Sequence, residues 1–550
     1  MNAHETLPSE LRMAAPPSMP QARSYMFKQK TEYTEYQMAK GNKIRINIPR
    51  LQRTYLSKDS YLRFRLNVDA SYTGITDTAS ASNYFKPGGV YLDRCGAYSL
   101  FERIEVYDYL GGTLIESVAN VPQLMTILQD VNCSLDNFNG KNTVVTGQEN
   151  TFIGVSEAYL TDEVTALEPR TCNSGKELLE PNWTADDPIT AALQTKKTFV
   201  TYEFSIPIPS FLGLLSDKFV PLHNGFSIDF FLNSTENAFI SYGCNQVDYR
   251  NQPAMTDAKE YLSKTNLDFV YLNNVEFCAQ VMELGNDAEA LVLSSNGSGP
   301  LVVPSTFYRY FTDMIKGKGE PDQSSTAWMD LNLNVVSLRN IRFGFRPKVY
   351  VNNAQAPTYG HRIRNFLSRF TFQYGSSYLP EIAGVQCRTT TLPQSKKAYP
   401  LHTTSLSDGD GYKKCGATQA FAELLKTGRK GHWPDMTQST AIQDVEYFTD
   451  IAYAASQYLD DVTSMDVSKL MPPLYKFPNL FCGKFLAGLD LRLSSKEIVS
   501  GIDTNGLLVR LNAHFDDSKL DKMHNAIWDV FCEHDAFVQI IPGVATTVTF

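Results

Sequence analysis

From Lys43 onward the chain alternates between apolar and polar positions. In "KIRINIPRL" Ile44, Ile46 and Ile48 share one face, and in "SYLRFRLNV" Leu62, Phe64 and Leu66 do the same, which is the period of half-buried strands. "SLFERIEVYDYLGGTLIE", Ser99 to Glu116, sets Ile104 and Val106 against Arg103, Glu105 and Tyr107. Gly111-Gly112 then supplies a turn and a returning strand begins. "NVPQLMTILQDV" switches to helical spacing through Leu124, Ile127, Leu128 and Val131, with Pro122 near its start. The polar stretch from about Cys133 to Thr195 reads as a long, exposed loop. Strand text resumes in "FVTYEFSIPIP", "FSIDFFLN" and "NVEFCAQVMEL".

The small-residue stretch "GNDAEALVLSSNGSGP" marks a join between two domains. Alternation begins again in "TFYRYF", "WMDLNLNV", "IRFGFRP" and "FLSRFTFQY", with helices expected at about Thr418 to Thr427 and Phe448 to Leu459. "AFVQIIPGVATTVTF" carries strand text to Phe550 and predicts an end held within a sheet. Residues 1 to about 40, with Pro16, Pro17 and Pro20, show neither period and read as an arm that orders by docking on something else.

The two halves echo one another. Leu66-Asn67-Val68 recurs as Leu333-Asn334-Val335, and Arg103, Ile104 and Val106 recur as Arg369, Phe370 and Phe372. Leu114 and Glu116 match Leu379 and Glu381. "NGFSIDFFLN" from Asn224 is answered by "NGLLVRLN" from Asn505, and "FCAQ" from Phe277 by "FVQ" from Phe537. Matches in the same order predict tandem β domains of like fold. Each is long enough for an eight-stranded jelly roll with long loops and a few inserted helices.

Length and composition fit this picture. A chain of 550 residues exceeds one ordinary core, and 12% aromatic content suits half-buried sheet surfaces. A net charge of −9 speaks against a dedicated nucleic-acid binder. Between Lys43 and Arg65, however, Lys43, Arg45, Arg50, Arg53, Lys58, Arg63 and Arg65 face one acidic residue, Asp59. The run reads either as a solvated sheet face or as a patch toward something anionic, such as lipid head groups or packaged nucleic acid. Nine dispersed cysteines without a C-x-x-C pair suit a reducing compartment and small core hydrophobes. The opening "MNAHETLPSELRMAAPPSMPQARS" is polar and proline-broken, unlike a signal peptide, and no apolar run reaches the roughly 18 residues of a membrane span. Synthesis and folding in the cytosol or nucleus are expected, with silent sequons at Asn132, Asn182, Asn233 and Asn296.

Motifs for chemistry are missing. There is no phosphate loop, no G-x-S-x-G and no H-E-x-x-H. His514, His524 and His534 lie near Asp516 and Asp517, but spacings of ten match no common ligand pattern. "SDGDGYKK", Ser407 to Lys414, has Gln419 where a calcium loop needs Glu, counting Asp408 as first, and turn chemistry explains it equally well. Neither catalytic residues nor cofactor or metal ligands are nominated, and no enzyme is expected.

"SYLRFRL", "LFERIEVYDYLGGTLIE", "PQLMTILQDV", the basic strand opening and the two echoing halves together resemble the double jelly-roll major capsid proteins. Those of polinton-like viruses and virophages, in the adenovirus-type lineage, come nearest. The resemblance implies two tandem eight-stranded antiparallel jelly rolls. The expected division is an N-terminal arm (1–42), a first roll (43–285, long loop about 133–195), a linker (286–302) and a second roll (303–550, insertions about 386–465). It further implies a homotrimer with a pseudo-hexagonal outline tiling an icosahedral virion, with neighbouring capsomers, penton and minor capsid proteins as partners. Loops at Cys133 to Thr195 and about Gln386 to Thr440 would project outward. The N-terminal region would reach an internal membrane or packaged DNA, with Lys43, Arg45, Arg50 and Arg53 near the particle interior. A carbohydrate-binding or carbohydrate-active β-sandwich is the alternative, and a viral spike or penton protein the third.

Overall fold

The computed structural model describes residues 22–73, 90–132, 143–148, 151–154, 171–179, 195–215, 218–241, 264–295, 299–352, 358–360, 362, 365–379, 384–386, 486–492 and 499–550. The first half is built on β1 (Ala22–Lys30), β2 (Lys43–Ile48), β3 (Tyr61–Thr73), β4 (Phe101–Asp108), β5 (Leu114–Ala119), β6 (Thr195–Pro207), β7 (Phe226–Leu232) and β8 (Lys264–Leu284). The second is built on β9 (Leu301–Ile315), β10 (Thr326–Asp330), β11 (Leu338–Pro347), β12 (Leu367–Tyr374), β13 (Ser377–Leu379), β14 (Ala487–Asp490), β15 (Val509–Phe515) and β16 (Ala526–Ile540).

These strands pair in the same order in both halves. One sheet runs β1-β8-β3-β6 and its counterpart β9-β16-β11-β14; the facing sheets run β2-β7-β4-β5 and β10-β15-β12-β13. Two facing antiparallel sheets wound in this order make a jelly roll, and the chain contains two. Alternation puts one face of each strand into the core. Ile44, Ile46 and Ile48 of β2, Leu62, Phe64, Leu66 and Val68 of β3, and Phe226, Ile228 and Phe230 of β7 are all buried in the first core. Phe343 and Phe345 of β11, Phe370 and Phe372 of β12, and Trp528 of β16 fill the second. Helix α1 (Val121–Asn132) follows β5 as its spacing predicts, with Leu124 and Ile127 buried.

All pairings are antiparallel, so the connections fall alternately at two ends. The turns after β2, β4 and β6, and those after β10, β12 and β14, lie at what is here termed the base. The connections after β3, β5, β7 and β13 lie at the far end. Base meets base across the halves: Asn224 Nδ2 donates to the Val544 carbonyl at 2.7 Å and Thr546 Oγ1 to Asp108 Oδ1 at 2.7 Å, while the Phe211 ring reaches 6.0 Å from Phe307 midway along β9. Far end meets far end through Tyr359 N–H to Asp93 Oδ2 at 2.9 Å and Asn237 Nδ2 to Asn352 Oδ1 at 2.9 Å. The rolls therefore stand side by side with their strands running the same way.

Several sequence expectations shift. Residues 22–30, read as arm, form β1, paired with β8 from Ala22↔Leu284 to Lys30↔Glu276. Only Tyr25, Phe27 and Gln29 are half-buried there, too weak an alternation to read among lysines and glutamines. The first roll thus starts at Ala22 rather than Lys43. The linker holds helix α2 (Asn286–Ser295), and β9 begins within the expected linker, at Leu301. The polar stretch read as a loop contributes strands Thr151–Gly154 and Thr171–Leu179 to a further sheet with Val90–Asp93 and Phe239–Ser241. At the chain's end Thr547–Thr549 pairs with β16, as the strand text predicts. The helices expected at 418–427 and 448–459 and the stretch at 407–414 lie outside the described residues.

The echo survives in place more than in detail. Arg103-Ile104-Val106 and Arg369-Phe370-Phe372 sit at the same positions of β4 and β12, the Asn224 and Asn505 phrases lead into β7 and β15, and Phe277 and Phe537 lie on β8 and β16. Leu66–Val68 lies within β3, however, whereas Leu333–Val335 precedes β11. Across the turn, Val106 pairs with Glu116 and Phe372 with Leu379, so Leu379 stands where Glu116 does. Gly225 (φ +70°) and Gly506 (φ +68°) both turn the chain toward the seventh strand of their roll. A Cβ on Gly225 would stand 2.7 Å from the Ile48 carbonyl oxygen, whereas one on Gly506 meets open space. We expect Gly506→Ala to cost about 1–2 kcal/mol, the strain of left-handed backbone alone. Gly225→Ala should cost more, because Ile48 must also move; urea denaturation of the two variants checks the order.

Candidate functional site

The basic run does not form one patch. Lys43 and Arg45 lie on the outward face of β2 and share Asp229 of β7, which Arg45 grips with both Nε and Nη2 at 2.6 Å while Lys43 Nζ stands 3.3 Å away. Arg50 and Arg53 follow β2 at the base. Arg50 Nε donates to the His223 carbonyl at 3.5 Å, and Arg53 reaches Asn286 of α2 and Glu283. Arg63 and Arg65 lie on the outward face of β3. They share Glu203 of β6, and Arg63 also meets Glu276 of β8, itself paired with Lys28. A shallow cleft there, about 180 Å³, is lined by Arg63, Phe64, Arg65, Glu203 and Asn274. Its cations are matched by carboxylates, so a solvated, internally paired sheet face describes most of the run.

The densest polar chemistry lies instead between the rolls. Strand β16 sends Trp528, Val530 and Cys532 into the second core. Its other face carries Asp529, Glu533 and Asp535, while Phe531 joins the first core together with Phe307 and Tyr308 of β9. That face is buried against the first roll, and arginines of β11 meet its charges. Arg342 Nη1 donates to Glu533 Oε2 at 2.7 Å, and Tyr308 Oη donates to the same oxygen at 2.9 Å. Arg346 grips Asp529 through Nε and Nη2, and Tyr310 Oη donates to Asp529 at 2.6 Å. Asp535 accepts from Ser337 Oγ at 2.6 Å and from Arg339 Nη1 at 3.4 Å.

Arg346 carries the network to the far end. Its Nη1 donates to the Thr358 carbonyl at 3.3 Å, and its guanidinium lies 5.3 Å from the centre of the Tyr359 ring. Tyr359 N–H reaches Asp93 of the first roll, and Asn233 Nδ2 donates to Tyr359 Oη at 3.0 Å and to the Ser99 carbonyl at 2.9 Å. At the base the segment after β16 closes over the first roll. Asn224 Nδ2 donates to the carbonyls of Ile541 (3.1 Å) and Val544 (2.7 Å), and Thr546 Oγ1 donates to Asp108 Oδ1 at 2.7 Å.

Burial sorts these acids into two kinds. For Glu533 burial alone would raise the carboxyl, but attraction to Arg342 and Arg339 and hydrogen bonds from Arg342 and Tyr308 hold it down at about 2. Burial dominates at Glu116, pushed up to about 8 although the Phe211 N–H donates to it, and at Asp93, pushed up to about 6 against the N–H groups of Tyr359, Arg94 and Gly360. His534 is lowered to about 4 by burial, with its ring against Phe307 and Phe550. Among the described residues no three His, Cys, Asp or Glu side chains gather as a metal site, and Cys95, Cys278 and Cys532 are free thiols in buried positions. Sequence reading missed the junction ions. Their available signal is a run of charges, "DVFCEHD", inside strand text, opposite Arg339, Arg342 and Arg346 of "LRNIRFGFRP".

The fold defines a class: two jelly rolls in tandem, of one strand order, locked side by side. Among solved structures, a chain of the Sputnik virophage structure matches over 96% of this chain and 88% of its own, with 11% identity and a TM-score of 0.51. The mavirus major capsid protein matches over 100% and 94% at 10% identity (TM-score 0.48), and the Faustovirus major capsid protein over 96% and 92% at 10% (TM-score 0.46). No protein-family model matches the sequence, and no curated protein does.

Removing the Glu533 charge takes from buried Arg342 its carboxylate partner at 2.7 Å, so we expect Glu533→Gln to destabilise by about 3–5 kcal/mol. Pairing Arg342→Met with Glu533→Leu should recover most of that loss, read by denaturation of the variants. Since the folded Glu533 sits below its ordinary value, its contribution is complete above about pH 4.5 and fades as pH falls toward about 2. Glu116 has the opposite sign: its folded value is raised, so it lowers stability as pH climbs from about 4.5 to about 8. Glu116→Gln should match the parent near pH 4 and exceed it in melting temperature near pH 9.

Proposed function

We propose that the protein is a major capsid protein, a structural rather than catalytic component of an icosahedral virion. The observation that carries this reading is the side-by-side register of two rolls with one strand order and a common base. Such a unit is a ready-made pair of near-equivalent blocks, and three copies supply six blocks for a pseudo-hexagonal ring. The likeness of fold to a chain of the Sputnik virophage structure supports it. So does the placing of long connections: Cys133–Thr195 and the stretch from Gln386 both follow the fifth strand of their roll and leave from the same end. That end faces outward in this reading.

The base then faces the particle interior. Arg50, Arg53 and Ala22, at the start of β1, lie there and on this reading face packaged DNA, an internal membrane or minor capsid proteins. Lys43 and Arg45, held on Asp229 along β2, stand further from that surface. Neighbouring capsomers and penton proteins are the remaining partners, and assembly takes place in the host cytoplasm or nucleus. Light scattering on the purified protein should give three times 61.7 kDa, and electron microscopy should show hexagonal-outlined particles or shells. A stable monomer retained on a glycan column would refute the reading, as would a particle with Arg50 and Arg53 on its outer surface.

A further inference from the structure

Exposed apolar side chains gather at one end of the molecule. Among the described residues eighteen large apolar side chains are exposed, and ten of them lie in or next to the base turns and the segment after β16. The first roll contributes Tyr109, Leu110 and Leu114 around the turn after β4, and the segment after β16 brings Ile541 and Val544 beside them. A Cβ on Gly111 in that turn would stand 2.9 Å from the Ala545 Cβ. The second roll contributes Val336, Val499, Leu507, Leu508 and Tyr378. Its base turns are tied together: Thr504 N–H donates to the Val335 carbonyl at 2.9 Å, and Gly375 N–H to the Leu508 carbonyl at 2.7 Å. Apolar side chains gathered in this way mark a contact surface.

The exposure is built in. Val499, a β-branched residue, is kept in left-handed backbone (φ +62°) with its N–H on Asp535 Oδ2 at 3.2 Å and its side chain in solvent. Leu507 and Leu508 are by register the counterparts of Asn224 and Gly225, because Phe372 faces Leu511 where Val106 faces Ile228. The first roll uses that place to receive the segment after β16, through Asn224 Nδ2 on the Ile541 and Val544 carbonyls. That segment then turns its own Ile541 and Val544 side chains to solvent.

The kind of side chain decides what the surface fits. The base set is leucine, valine, isoleucine and tyrosine. The exposed phenylalanines, tryptophan and methionines among the described residues (Met26, Phe199, Phe269, Met314, Trp328) lie instead along the sides of the rolls, within strands. Anchors between proteins are rich in tryptophan, tyrosine and arginine and poor in leucine and valine. Aliphatic tips with tyrosine beside them suit a bilayer, where the aliphatic groups enter the acyl boundary and the phenol hydroxyl stays among the head groups. Arg23 near the start of β1 and Arg50 after β2 are exposed on the same end. Arg23 lies over the Tyr25 ring and Arg50 against the His223 carbonyl, neither within reach of a carboxylate among the described residues, and both complement anionic head groups. Asp59, Asp287 and Asp503 share that end, so apolar contact leads and charge adds to it.

We propose that the base seats on a lipid bilayer, with Tyr109, Leu110, Val544, Leu507 and Leu508 entering its surface. This rests on the capsid reading for the inward direction of the base, and it chooses the membrane among the inner partners. Flotation of the full-length protein with vesicles tests it, using phosphatidylcholine alone and phosphatidylcholine mixed with phosphatidylserine. The parent should float with both, and more with the mixture. Leu507→Ser with Leu508→Ser, and Tyr109→Ser with Val544→Ser, should each weaken partitioning on the order of tenfold, the scale of one or two partly inserted apolar side chains. Met314→Ser with Trp328→Ser, exposed at the sides, should partition like the parent when compared at equal oligomeric state. All six positions are exposed, so melting temperatures should stay near that of the parent. A parent that ignores both vesicle types, or base variants that bind as well as the side variant, overturns the lipid contact and leaves the capsid reading standing. Base variants whose shells lose an inner protein, with a parent that ignores vesicles, assign the surface to that protein and overturn it too. A parent that floats through its base but forms neither trimers nor shells upholds the lipid contact and overturns the capsid reading.

Discussion

A sheet face lined with aspartate and glutamate can be buried only where each charge meets an opposite one in good geometry, because an unpaired buried ion costs several kcal/mol. Strand β16 sets that condition. Asp529, Glu533 and Asp535 alternate with core residues and face the first roll, and Arg346, Arg342 and Arg339 of the adjacent β11 answer them. Arginine suits this position because its planar fork matches a carboxylate and it stays charged when buried. Arg346 also stacks on Tyr359 while holding Asp529. Tyr308 gives Glu533, and Tyr310 gives Asp529, a further donor in a junction whose surroundings are apolar. With the ions matched within one sheet, the first roll can lie against it without supplying charges of its own.

What the first roll does supply is directional hydrogen bonding at the two ends of the contact. Asp93 and Asn233 receive the Tyr359 segment at the far end, and Asn224 and Asp108 receive the segment after β16 at the base. Apolar contact through Phe211, Phe307 and Phe531 fills the space between. A purely apolar interface would permit sliding along the strands. Fixed polar contacts at both ends define one register for the two rolls.

Sequence made the sheets legible because their inner faces obey a strict period: Ile44, Ile46 and Ile48, or Phe343 and Phe345, are read directly. The internal echo told that the two halves share a fold, and helix α1 announced itself by spacing. What stayed hidden has physical causes. Strand β1 buries Tyr25 and Phe27 only in part, so its pattern sinks beneath polar neighbours. Strand β16 is buried on both faces, and its second face is charged, which in one dimension resembles exposure. Glu105 looked outward and does lie on an outward sheet face, yet Tyr107 and Arg103 cover it. The basic run looked like one patch because its residues are near in sequence. The fold divides them among two sheets and a turn, and most of their acidic partners stand well over a hundred residues away.

The divergence between the rolls is as informative as their likeness. Two identical blocks would expose identical surfaces, and such surfaces can pair with themselves about a two-fold axis and stop at a dimer. Here one sheet face has become an ionic lock fitted within the chain, while its counterpart keeps a paired charge ladder and two exposed phenylalanines. The apolar corner diverges likewise: Asn224 and Gly225 accept a strap of backbone where the second roll presents Leu507 and Leu508. Gly225 is needed because the Ile48 backbone passes within contact of it, whereas the second roll has room for a leucine side chain at that register. A duplicated fold that had kept its surfaces identical would have no such distinct faces, so the differences between the rolls, more than the duplication itself, decide which faces meet within the chain.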